Sequence, residues 1–322
     1  MKRIASLIVA AALAAFAVGI PAVAGAEPGA PLPKEVRVSY ARSPFNLPLI
    51  VAVRRGMLDE AFAAKGVAVK LFEIDSGAKQ AEAMAAGSID IAGVINNTSV
   101  ILAAAGGNDL KIVSGFSSPT GLFAIVVKDP AIKAVADLKG RKVAGPKGTV
   151  LHQLLASALE RERLSLRDLE FIQMDIPAAR TALLSGQVDA ALLAAANILS
   201  AKSAGARVLV TAEGYVKPQL FVAARAAFIR DYPELVDLYA SVHREALAWI
   251  EAHPEEALAI GAKEQGVSIA EAREMAAASR FVADLGPAEL AALGEDIRFL
   301  KGAGMLSVDV EPSSLFRPGL VR

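Results

Sequence analysis

Residues 85–92 read AAGSIDIA and residues 184–191 read LSGQVDAA. Gly87 and Asp90 of the first phrase recur as Gly186 and Asp189 of the second, 99 residues further on in both cases. Each copy closes a helical stretch on Gly and then enters a short β-branched run that carries the Asp. A glycine just past a helix end reaches the left-handed backbone that other residues avoid. A phrase of this kind written twice points to two α/β halves of similar construction. A cleft between two such halves is a natural place for a small ligand.

The pattern around the two phrases agrees. Strands are expected at 36–40, 67–74, 89–94 and 111–116, with helices over 47–65, 78–86 and 98–105 between them. The second half repeats this grammar with strands at 123–127, 142–144, 169–174, 188–193 and 207–210 and helices at 150–163 and 178–185. Such alternation predicts parallel sheets covered by helices on both faces. From Asp231 onward the pattern is mostly helical. Asp231 with Pro233 opens one helix, Pro254 another, and Ser268 with Glu271 forms a capping box. This helical tail is expected to fold back on the first lobe, which makes that lobe discontinuous. Two segments then cross between the lobes, near 121–123 and 219–222, and two crossing segments form a hinge.

With 322 residues the chain is suited to two lobes rather than one small core. Hydrophobic residues make up 54% and mean hydropathy is +0.44. Part of that excess lies in the first 26 residues. Met1-Lys2-Arg3 precedes an apolar run over 4–20 and then PAVAGA, the n-region, h-region and small-residue cleavage site of a secretory signal peptide. Cleavage is expected after Ala24 or Ala26, leaving a Pro/Gly-rich flexible leader over 27–34 and placing the protein in the periplasm. The chain has no cysteine, which removes thiol nucleophiles, thiolate metal sites and a lipid tether at the cleavage site. Loss of Lys2 and Arg3 from 34 basic and 34 acidic side chains leaves a weakly acidic protein. Without a basic block it is a poor partner for nucleic acid.

Three places share one design, in which an apolar strand gives way to small polar residues and a helix start. They are Asp75-Ser76-Gly77, Asn96-Asn97-Thr98-Ser99 and Pro146-Lys147-Gly148-Thr149. Carboxyl ends of strands face the crevice of an open α/β sheet, and a helix amino terminus there presents unpaired N–H groups that suit an anion. At any one place the same residues can simply cap a helix; three places on two lobes point to a shared anion pocket. Each terminus contributes about 0.3–1 kcal/mol, whereas micromolar binding needs about 8 kcal/mol. Direct hydrogen bonds, apolar burial and a cation must supply the rest. Lys147 is the best-placed cation, ahead of Arg42, Arg180 and Lys217. His152, one turn into its helix, either approaches the ligand or packs and caps. Three scattered histidines give no metal-site spacing, and no nucleophile elbow, phosphate loop or dinucleotide fingerprint is present.

The run VRVSYARSPFNLPLIVAVRRGMLDEAFAAKGVAVKLFEIDSGAKQAEAMAAGSIDIAG (36–93) resembles the periplasmic solute-binding proteins of ABC importers for aliphatic sulfonates, taurine and nitrate. So does IKAVADLKGRKVAGPKGTVLHQLLASALE (132–160), and the likeness extends over nearly all of the mature chain. It implies an α/β, two-lobed, type II-like periplasmic binding protein with hinged lobes, and no cofactor. Lobe 1 would span 35–121 and 223–322, with the helical carboxyl-terminal part packing on it, and lobe 2 would span 122–222. By position, the family's pocket segments fall on Ser43, Phe45 and Asn46, on Ser76 and Gly77, on Asn97 and Thr98, and on Ser118 and Gly121. In the second lobe they fall on Lys147, Gly148 and Thr149, on Asp175 and on Asn197. The expected partners are a small, anionic organic solute and a membrane permease, with the protein itself a monomer.

One departure stands out. The sulfonate branch often carries an aromatic or acidic cluster after the second G-x-[IV]-D strand, where this chain reads LLAAANIL (192–199) with Asn197 its one polar residue. A different or more apolar solute fits that departure, such as a pyrimidine precursor or an aromatic acid, taken up or sensed. An enzyme on the same scaffold is the least favoured reading, since the enzymes resembled rely on Cys-containing motifs.

Overall fold

In a computed structural model, residues 31–119 and 121–321 are described. The expected signal peptide and the first half of the expected leader (27–30) lie outside them. The first half builds β1 (Glu35–Tyr40), α1 (Leu47–Arg54), α2 (Met57–Ala63), β2 (Ala68–Glu73), α3 (Gly77–Ala85), β3 (Ile91–Asn96), α4 (Asn97–Ala105) and β4 (Leu110–Ser117). The helix expected over 47–65 is therefore two helices. They break at Gly56, whose φ of 72° is the left-handed conformation that glycine adopts without a steric penalty.

The second half follows the same plan with β5 (Phe123–Val127), β6 (Lys142–Gly145), α5 (Val150–Arg161), β7 (Glu170–Gln173), α6 (Ile176–Leu184), β8 (Ala190–Ala194), α7 (Ala196–Ser203) and β9 (Arg207–Thr211). The chain then enters β10 (Leu220–Arg225) and five helices, α8 (Ala226–Asp231), α9 (Pro233–Ala252), α10 (Pro254–Gln265), α11 (Ile269–Ser279) and α12 (Pro287–Gly302). The Ser268 capping box forms as read, with Ser268 Oγ accepting from the Glu271 amide and the Glu271 carboxylate accepting from Ser268 N–H.

The strands make two five-stranded sheets, in the orders β2-β1-β3-β10-β4 and β7-β6-β8-β5-β9. Neither sheet is wholly parallel, contrary to expectation. β10 is antiparallel to β3 and β4, and β5 is antiparallel to β8 and β9. The reason lies in the crossings. The parallel strands end at the cleft between the lobes, whereas β5 and β10 begin there, immediately after the chain has crossed, and must run the other way. Leu220–Arg225 pairs along its length within the first sheet, so residues 220–222, assigned by sequence to lobe 2, lie in the sheet of lobe 1.

The duplicated phrase is a duplicated clamp. In the first lobe Asp90 N–H donates to the Arg37 carbonyl (2.8 Å) and the Asp90 carboxylate accepts from Arg37 N–H (3.0 Å). In the second, Asp189 N–H donates to the Lys142 carbonyl (2.9 Å) and its carboxylate accepts from Lys142 N–H (2.8 Å). The glycine turns match as well. Ser88 N–H reaches the Ala83 carbonyl at 2.8 Å, and Gln187 N–H reaches Ala182 at 2.9 Å. Each Asp thus ties the start of one parallel strand to the residue that leads into its neighbour. Asp90 is the stronger copy, because Arg37 Nη2 (2.8 Å) and Arg225 Nη2 (2.5 Å) also donate to it.

Helices α9 to α12 cover the first lobe. Gln265 donates to the Arg42 carbonyl (2.6 Å), Glu264 accepts from Tyr40 (2.9 Å) and Arg54 (2.6 Å), and His243 of α9 stacks on Phe116 of β4. Gly261 of α10 has no room for a Cβ, which would fall 2.7 Å from the Phe45 ring. On the other face of the first sheet, Ile95, Ile101 and Phe221 pack with Leu293, Leu300 and Phe316.

Two expectations follow. Asp90→Ala should cost about 3 kcal/mol in urea unfolding, because it strands two partly buried guanidinium groups, and Asp189→Ala about 1 kcal/mol, its one ion pair, with Arg141 (3.3 Å), being longer and more exposed. The second concerns acid. Burial holds His243 neutral and pushes its pKa from 6.5 down to about 4. The unfolded chain therefore takes up a proton across that interval that the fold refuses, so stability is full above pH 6.5 and falls as pH drops toward 4. Melting temperature against pH should show this decline, and His243→Phe should flatten it.

Candidate functional site

The first lobe turns the carboxyl ends of β1, β2 and β3 toward the second lobe, which answers with the ends of β6 and β7. Between them lies a small cavity of about 40 Å³. Ser43, Pro44, Asp75, Ser76, Gly77, Gln80, Val94, Ile95, Asn96 and Leu220 line it from one side. Phe123, Pro146, Thr149, Val150, Leu151, Asp175 and Ile176 line it from the other. Four helices begin at its wall, α3 and α4 from the first lobe and α5 and α6 from the second.

The N-cap residues of three of these helices are Ser76, Thr149 and Asp175, all good capping types, yet none makes a side-chain cap. Thr149 Oγ1 instead donates to the Pro146 carbonyl (2.8 Å), and Asp175 accepts from Lys79 Nζ across the lobes (2.8 Å). Ser76 Oγ is buried with no hydrogen-bond partner. First-turn amides at three helix ends are thus left without the caps these residues could supply. The fourth helix differs. Asn96 Oδ1 accepts from Ser99 N–H of its own helix α4 (2.9 Å) and from Val150 N–H of α5 in the opposite lobe (3.2 Å). Among the cavity-lining residues no Lys, Arg or His side chain occurs, and the two charged groups are the carboxylates of Asp75 and Asp175. Asp75 is occupied in part, accepting from Arg42 N–H at 2.7 Å.

Of the residues singled out from sequence, the cavity brings together Ser43, Ser76, Gly77, Thr149 and Asp175. Others sit elsewhere. The Phe45 ring is in the core against Gly261. Asn46 braces its own loop, donating to the Ala41 carbonyl (2.8 Å) and the Ser43 carbonyl (3.2 Å). Ser118 and Gly121 belong to the crossing segment, where Ser118 N–H bonds the Arg280 carbonyl. Asn197 reaches Ser43 Oγ from the second lobe (3.4 Å) but lines a neighbouring hollow with Arg42 and Arg180. Lys147, Gly148 and His152 line a separate hollow with Arg167, Phe171 and Met305. The expected cations are likewise displaced, since Lys147 is exposed, Arg42 pairs with Glu73 and Lys217 with Glu295. His152 packs on Phe171, and burial, with Lys147 nearby, pushes its pKa down to about 4.

Asn97 and Thr98 turn away from the cavity into a polar cluster between the lobes. Thr98 Oγ1 donates to Gln153 Oε1, Gln153 Nε2 donates to Asp296 (2.7 Å), and Asn97 Nδ2 donates to the other Asp296 oxygen (2.6 Å). Asn97 also exchanges bonds with the backbone of Gln219, which precedes β10. Burial pushes the Asp296 pKa upward, against the two amide hydrogen bonds that favour its charged form. The sequence reading missed Gln153 and Asp296, and named Asn96 only within the run 96–99 without singling it out. For Asn96 a signal existed, as the last residue of a strand and the first polar residue before a helix.

Comparison with known proteins bears on this architecture. A protein of Bacillus subtilis (strain 168), named provisionally as an aliphatic sulfonates-binding protein, is 32% identical over 229 residues, 70% of this chain and 68% of that one. A similarly named protein of Escherichia coli (strain K12) is 31% identical over 159 residues, about half of each chain (49% and 48%). The alkanesulfonate-binding protein SsuA from Xanthomonas axonopodis pv. citri, solved bound to MOPS, superposes with a TM-score of 0.79 at 23% identity, over 88% of this chain and 98% of its own. It shares the two-lobed fold of periplasmic binding proteins. The family model described as NMT1/THI5 like matches residues 44–257, and the chain belongs to that family.

Proposed function

We propose that the protein is a periplasmic solute receptor that holds a small organic molecule with an oxyanion head, a sulfonate foremost, in the interlobe cavity and presents it to an ABC permease without chemical change. The observation that carries this reading is the set of helix starts at Ser76, Thr149 and Asp175, none capped by its own side chain and all lining one hollow. The names of the sulfonate-binding relatives support it.

The cavity modifies the electrostatic part of the expectation. With no cationic side chain on its wall, an anion would be held by amide and hydroxyl dipoles, and its body by Pro44, Phe123, Ile176 and Leu220. Apolar burial would contribute roughly 25 cal/mol per Å², and the helix termini and hydrogen bonds a few kcal/mol. Two carboxylates, Asp75 and Asp175, one on each side of the cavity, favour, as a second reading, a solute that also carries an N–H or amino group.

A thermal-shift screen of mature protein over linear sulfonates, nitrate, aromatic acids and pyrimidines, with mass spectrometry of co-purified solute, tests both. Stabilisation by sulfonates supports the first reading; stabilisation by none of the panel counts against it. Ser76→Ala should weaken binding by about fivefold, the value of one hydrogen bond, and Lys147→Ala should leave affinity unchanged by calorimetry. Affinity should depend only weakly on ionic strength, as expected when no exposed charge pair is formed.

A further inference from the structure

The orientation of the Asn96 amide is fixed by its partners. Two backbone N–H groups, those of Ser99 and Val150, point at the same side-chain atom, and N–H groups donate only to an acceptor. That atom is the oxygen, so the Nδ2 group occupies the other position. It lies over the first residue of α3, where a Cβ on Gly77 would fall 2.6 Å from it. Among the described residues Nδ2 has no hydrogen-bond partner, although the residue is 8% exposed and lines the cavity. Beside it are the uncapped start of α3 and the unpartnered Ser76 Oγ.

We propose that Asn96 couples closure of the lobes to the choice of ligand head group, its oxygen clasping the amino terminus of α5 while its NH₂ group donates to the ligand. Ser99 N–H, in the same lobe, already turns the oxygen toward α4, and closure adds Val150 N–H as a second donor to it. The closed state thus holds the NH₂ group as a donor beside the uncapped start of α3. A head group with oxygens that only accept satisfies it, whereas an ammonium or a protonated oxyacid leaves a donor facing a donor, which is costly in a dry site. This inference rests on the receptor reading but concerns one residue of the site.

The decisive variant is Asn96→Asp. Its carboxylate still accepts from Ser99 and Val150, keeping cap and clasp, but turns an acceptor where the donor was. Calorimetric titration with ethanesulfonate, pentanesulfonate, pentanoate and pentylamine should show sulfonate affinity falling about a hundredfold, with the ligand-free melting point unchanged and preference moving toward the amine. Val150→Pro tests the clasp separately, since proline is tolerated at the first helical position and lacks the N–H, with Val150→Ala as the control for the lost side chain. Sulfonate affinity should fall about tenfold. Gly77→Ala displaces Nδ2 and should reproduce the loss if the aspartate variant does not fold. Sulfonate affinity within threefold of wild type in Asn96→Asp overturns the inference, as does a wild-type preference for pentylamine. A wild type that binds pentanoate but neither sulfonate counts against the sulfonate assignment alone, and Asn96 is then judged by the same variants on pentanoate.

Discussion

The carboxylate that ties one strand to the next sets the level at which each sheet stops. Asp90 and Asp189 each exchange two backbone-directed hydrogen bonds with the strand beside them, fixing where neighbouring strands start relative to each other. A slip of one residue would turn every side chain to the opposite face of the sheet. With the starts aligned, the carboxyl ends of β1 and β3 reach the cleft together. The helices α3 to α6 begin there, at the wall of the hollow. Helix termini of both lobes face one hollow because this alignment is made twice.

What the termini do then depends on which side chains are withheld from capping. Ser76, Thr149 and Asp175 are residues that normally satisfy a helix start, and here each is engaged elsewhere or unpartnered. Native proteins rarely leave buried donors without acceptors. On the proposed reading, the acceptor is supplied by the bound solute. The cations that sequence placed in this role are spent on other contacts, Arg42 on Glu73 and Lys217 on Glu295.

Much of the fold was legible because its punctuation is strong. The repeated glycine and aspartate announce the two halves, and the Ser268 box and Pro254 mark helix starts that form as read. β10 escaped notice because QLFVAAR, alanine-rich and without alternation, reads equally as strand or helix. α7 was missed for a different reason. Its turn is made by Ala195 at φ 45°, a conformation usually announced by Gly or Asn. At the site, four polar residues in a row, Asn96 to Ser99, could not be ranked from sequence. A strand that ends and a helix that begins within two residues send them in different directions, Asn96 to the cavity and Asn97 and Thr98 to Asp296. Phe45 was misplaced because an aromatic ring beside a pocket segment looks the same whether it faces ligand or core.

The reversed strands have a bearing on how such a molecule comes into being. The sheet containing β5 is drawn from one uninterrupted stretch, Phe123 to Thr211, whereas the other needs β10 between β3 and β4. A chain emerging amino end first therefore finishes its later lobe before its earlier one. Until residues 220–225 arrive, the edges of β3 and β4 stand open side by side with their amides and carbonyls unpaired. The part of the molecule made first is the last to become whole, and it is sealed by a strand arriving from beyond the opposite lobe.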